Sequence, residues 1–158
     1  CYLYRHAIEV VLKELIRKAD KLIGLMKYLD GEEDSTSVDD GLEEFLQCTH
    51  SLEGLYDALL SKLAVTHPGG EIPAATHAAI IELHNRDSNG ESFRYSRAKR
   101  TGRAVFDKQE SFDIQRISAR LGEAFRFLSW GVGGALSADI DSTNDYLTEM
   151  MRCAYPSM

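Results

Sequence analysis

Apolar residues recur at three- and four-residue steps from Tyr4 through Ala7, Ile8, Val11, Leu12, Leu15, Ile16, Ala19, Leu22 and Ile23 to Met26. That spacing places them along one side of a helix of about residues 2–29. A helix of this length, apolar along its whole run, needs several other elements to cover it. Gly31 follows as a stop.

The rest of the chain supplies such partners. Ser51 can cap a second helix that buries Leu52, Leu55, Tyr56, Leu59, Leu60 and Leu63, with Leu42, Phe45 and Leu46 in a short turn before it. His67-Pro68-Gly69-Gly70 breaks the chain, and Pro73 suits the first position of a third helix over about 73–85 with Ala74, Ala78, Ile81 and Ile80 inward. Ser111 or Asp113 can open a fourth helix carrying Phe112, Ile114, Ile117, Leu121, Ala124, Phe125 and Leu128. Gly131, Gly133 and Gly134 interrupt it or admit a close neighbour, and Ser142 or Thr143 can cap a last helix with Tyr146, Leu147, Met150 and Met151. No period-two strand with a hairpin turn is visible. The expected fold is all-α, an up-and-down bundle of four to five helices in a single domain over residues 1–158.

Composition adds exclusions. The 158 residues carry 44% apolar and 27% charged side chains, which suits a globular domain, and the net charge of −7 argues against polyanion binding by the whole surface. No leader-like segment opens the chain, which starts inside an element, and its most apolar window, Phe125 to Leu136, falls well short of the ~18–20 residues of a membrane span. Cys1, Cys48 and Cys153 are scattered and odd in number, so they read as free thiols, small apolar core residues in a reducing cytoplasm. His77 and His84 lack the further ligands of a zinc site, and Asp39-Asp40-Gly41 lacks the alternating oxygens of a calcium loop. Neither metal nor cofactor is expected.

Three polar constellations remain. Arg5, Glu9 and Lys13 share a helix face, with His6 about 100° around from Arg5; they form either an ion-pair ladder or a pocket in which Arg5 and His6 meet a phosphate or carboxylate. His50 precedes the Ser51 cap. The third constellation runs from Glu82 through His84, Arg86 and Asp87 to Phe93, Arg94 and Tyr95, with Arg97, Lys99, Arg100 and Arg103 close behind. Cations interleaved with aromatics can hold phosphates and stack bases, or can neutralise the acidic stretch from Asp30 to Glu44.

The ordered set of Tyr4-Arg5-His6-Ala7-Ile8-Glu9 with Lys13, His50-Ser51-Leu52 with Leu55, and Glu82-Leu83 with Asp87 and Phe93-Arg94-Tyr95 resembles the HEPN superfamily over about residues 2–106. The resemblance implies a helical bundle, often dimeric, preceded by a further helix that here would lie before Cys1 or be missing. It also implies a place in toxin–antitoxin or other prokaryotic or phage-related defence systems, and in several members a metal-independent RNase. The nuclease signature of that family is Arg, four to six residues, then His. No His of this chain has it; the nearest approach is Lys62 and His67, and Lys lacks the guanidinium fork.

Three readings follow. The leading one is a non-catalytic binding or assembly module, a homodimer or bound to a partner protein, that recognises RNA or a nucleotide through Arg5, His6, His50, Asp87, Arg94 and Tyr95, with Arg97, Lys99 and Arg100 as an electrostatic rim. The second is an RNase using His6 or His50 as base and Arg5 or Arg94 for phosphate charge. The third makes Arg5, Glu9, Asp87 and Arg94 a buried network that fixes helix register.

Overall fold

The periodic N-terminal segment forms one helix, α1 (Tyr2–Leu29). The computed structural model describes residues 2–32, 40–88 and 113–154. Helix α1 ends on a left-handed Gly31 (φ 86°), whose N–H reaches Tyr28 O while Glu32 N–H reaches Lys27 O, both at 3.1 Å. These two bonds satisfy carbonyls that the helix end leaves open, and the positive φ is what calls for glycine there.

Four further rods surround α1: α2 (Asp40–Cys48), α3 (Leu52–Thr66), α4 (Ala74–Arg86), and a continuous run of α5 (Ile114–Arg126), a π-helical segment (Phe127–Val132) and α6 (Gly133–Ala154). No strand occurs among the described residues. Paired side chains set the directions. Glu9 meets His50 and Asp20 meets Lys62, so α3 runs with α1. Glu53 meets His84 and Tyr56 stacks on His77, so α4 runs back. Tyr4 meets Ser118 and Lys18 meets Ser137, so the long C-terminal rod again runs with α1. With α2 descending from Arg17 towards Glu9, the rods alternate up and down.

The core is the seam around α1. Ile8, Leu12, Leu15, Ile16, Ala19 and Leu22 meet Leu52, Leu55 and Leu59 of α3, Ile80 and Leu83 of α4, and Leu121, Leu128 and Leu136 of the last rod, all buried. Each such leucine or isoleucine contributes about 1.5–3 kcal/mol by leaving water. The π turn, closed by Gly133 N–H on Leu128 O, widens the rod where it passes α1. A Cβ on Gly133 would sit 3.3 Å from Leu15 Cδ2, so glycine is what admits α1 here.

Several local expectations change. The segment before Ser51 is a nine-residue helix that buries Leu42 and Leu46 and leaves Phe45 partly exposed. Helix α4 buries Thr76, Ala79, Ile80 and Leu83 rather than Ala74, Ala78 and Ile81, because the side it turns to α3 and α5 lies about half a turn from those three; Pro73 caps it rather than opening it. Asp113 caps α5 by accepting from Arg116 N–H, while Ser111 lies outside the described residues. The last helix starts at Gly133: Ser142 and Thr143 lie inside it, and Thr143 donates back to Asp139 O. Cys48 and Cys153 are exposed surface thiols, not core residues. No helix among the described residues is long and apolar enough to cross a membrane.

Ser51 caps α3 through its Oγ, which accepts from Gly54 N–H at 3.1 Å. Ser51→Ala is expected to lower unfolding stability by about 1 kcal/mol and Ser51→Gly by a few tenths, read from urea melts.

Candidate functional site

The strongest polar constellation is built from the first turns of α1. Arg5, Glu9 and Lys13 lie one turn apart on one face, and α3 and α4 bring two chain ends against them. Arg5 is 1% exposed. Its Nη1 donates to Glu9 Oε2 at 2.7 Å, its Nε to the Asp87 carbonyl at 3.0 Å, and its Nη2 to the His50 carbonyl. The Asp87 carboxylate lies 3.4 Å from the same Nε. Asp87 is the C-cap of α4, and the carbonyl end of a helix favours a cation. One guanidinium thus joins the start of α1, the α2–α3 junction and the end of α4.

Glu9 is the second hub. Its Oε1 accepts from Lys13 Nζ and from His50 Nδ1, each at 2.9 Å. Burial alone would raise its pKa, but hydrogen bonds from Lys13, His50 and Arg5 and the charge of Lys13 outweigh that and lower it from 4.5 to about 2. A carboxylate can only accept, so the His50 proton on this side sits on Nδ1. The His50 ring is 57% exposed, and Nε2 is its remaining nitrogen.

The histidine next to Arg5 in sequence is not part of this cluster. His6 is exposed and stacks on Tyr2, with centroids 6.2 Å apart. One residue is about 100° of helix, so when Arg5 points inward His6 points out. The pocket expected from Arg5 and His6 together is therefore not formed. Arg94, Tyr95, Arg97, Lys99 and Arg100 lie outside the described residues.

The remaining histidines serve packing between rods. His67 Nε2 is 2.8 Å from Asp139 Oδ2, and His84 Nε2 is 3.4 Å from Glu53 Oε2. His77 stacks on Tyr56, whose hydroxyl pKa is raised by burial and by nearby Asp57. Lys62, the residue at nuclease-like spacing from His67, is held by Asp20 at 2.6 Å, so neither is directed to a shared site. Among the described residues no group of His, Cys, Asp and Glu could hold a metal ion. Sequence reasoning missed the contact of His50 with Glu9 and the exposure of Trp130. The first joins distant segments and leaves no local signal; the second depends on which side of the rod its neighbours cover, which an apolar run does not reveal.

Comparison of the chain with protein-family profiles, curated proteins and solved structures finds no match.

Two outcomes follow. Arg5→Ala removes the buried guanidinium that Glu9 and Asp87 share, and a loss of about 3–5 kcal/mol is expected in denaturant melts. Glu9 has a folded pKa below its unfolded one, so its contribution is complete above pH 4.5 and drains away as pH falls towards 2. Glu9→Gln is expected to flatten that limb of a stability–pH curve and leave the rest of its shape unchanged.

Proposed function

We propose that this chain is a non-catalytic helical binding and assembly module, HEPN-like in the order of its polar segments. The observation that carries the reading is the state of Arg5. Its guanidinium is 1% exposed and each of its three nitrogens donates to Glu9, Asp87 or the His50 carbonyl, so it presents no open edge to a phosphate. The five-rod bundle supports the reading, because it turns polar groups into helix-to-helix ties and leaves apolar and charged side chains on the outer faces. The defence-system setting belongs to the HEPN resemblance, and recognition of RNA or a nucleotide to the cations between Arg94 and Arg103.

One observation favours a second reading, a metal-independent RNase. Glu9 orients the exposed His50 ring through Nδ1, a pairing that suits a general base acting through Nε2 on a 2′-hydroxyl. Such chemistry also needs a cation at the phosphate. Arg5 sits behind His50 with its donors engaged, and Lys13 is tied to Glu9.

The deciding experiment incubates the protein with structured and single-stranded RNA in excess EDTA, beside His50→Ala and Arg94→Ala. Intact RNA with all three proteins is expected. Cleavage by the wild type that a folded His50→Ala loses would overturn the assembly reading in favour of the nuclease. RNA binding without cleavage, weakened by salt and by Arg94→Ala, would identify the ligand of the module.

A further inference from the structure

Trp130 is 80% exposed, the most exposed large apolar side chain among the described residues. It sits in the π segment at the middle of the long C-terminal rod. Exposed residues on either side repeat at steps of four, four, four, three and four: Arg126, Trp130, Gly134, Ala138, Asp141 and Asp145. These steps keep them on one outer face. The face is basic at one end, acidic at the other, and carries one large ring beside a shallow stretch of glycine and alanine. The asymmetry extends along the rod: α5 holds three arginines against one acidic residue, and α6 four acidic residues against one arginine.

We propose that this face pairs with the same face of a second copy, the two rods crossing antiparallel about a twofold axis near Gly134. The inference deepens the assembly reading by naming the partner. The charges choose both partner and direction. With Gly134 on the axis, each Arg126 falls between Asp141 and Asp145 of the other copy, and each Trp130 lies over the other copy's Ala138. A parallel pairing would set arginine against arginine and aspartate against aspartate. A second copy read backwards presents the acidic end, the flat stretch and the ring in the order this face requires. The contact is self-complementary, as a closed dimer demands. A Cβ on Gly134 would meet nothing within 4 Å in the monomer, so the space above it is open to a neighbouring helix.

Trp130 is the single tryptophan of the chain, so its fluorescence reports this surface directly. The experiment follows apparent mass by sedimentation, tryptophan emission and acrylamide quenching of the full chain through the micromolar range. The expected result is a twofold rise in mass, with emission shifting to the blue and quenching falling over the same concentrations. Gly134→Leu fills open space in the monomer. It is expected to keep the helical circular dichroism yet stay monomeric, with red-shifted, fully quenchable emission. Arg126→Asp is expected to do the same, and Arg126→Asp combined with Asp141→Arg and Asp145→Arg to restore the dimer. A wild-type monomer with exposed tryptophan at every concentration would overturn the proposal. So would a dimer whose tryptophan stays quenchable and which Gly134→Leu leaves intact; that result would place self-assembly on another face and leave the assembly reading standing. Cleavage of RNA, in contrast, would sink that reading without touching the dimer.

Discussion

The bundle hangs on one guanidinium. Arg5 is buried at the point where three chain segments converge, and it holds two of them by backbone carbonyls rather than by side chains alone. Carbonyl acceptors fix position more tightly than flexible carboxylates, because they move only with the backbone. The end of α4 and the start of α3 are therefore set relative to the first turn of α1. Glu9 and Asp87 supply the charge that makes such a burial tolerable. A hydrophobic residue of similar size could fill the volume. It could not specify which turn of α4 lies beside which turn of α1, since apolar contacts tolerate sliding.

That arrangement explains why polar residues suggestive of a ligand site do not make one. A site needs groups whose hydrogen-bonding capacity is left for something else. Around Arg5 the polar groups are buried against one another, and His67 and His84 are tied to neighbouring rods. His50 differs, because one ring nitrogen is fixed and the ring itself is half in water. The outer surface of the C-terminal rod differs in another way, since its large apolar group is presented rather than covered.

Much of the fold was legible because its signals are local. The limits of α1 followed from unbroken periodicity and a glycine suited to positive φ, and the cap at Ser51 from a hydroxyl before an apolar run. The Arg5–Glu9–Lys13 ladder was legible as a shared face. What escaped depends on neighbours. The buried side of α4 is set by where α3 and α5 stand, so Thr76 goes in and Ala78 stays out. The glycines near 131–134 left a break or a close neighbour open; a π turn carries the helix through them, and α1 passes close at Gly133. Adjacent Arg5 and His6 read as one site, but helical rotation sends them to opposite environments.

The sequence distance between partners has a consequence for how the chain comes into being. Tyr4 pairs with a residue 114 positions later and Lys18 with one 119 positions later, and Leu15 packs where Gly133 passes. A chain made from its N-terminus exposes the apolar stripe of α1 long before its last cover exists. Helices α2 and α3 can shield part of it early, being near in sequence, but the side that meets the final rod stays open until that rod has been made. The newborn protein therefore passes through a stage in which its longest hydrophobic seam faces the solvent. Exposed seams of this kind invite association between incomplete chains.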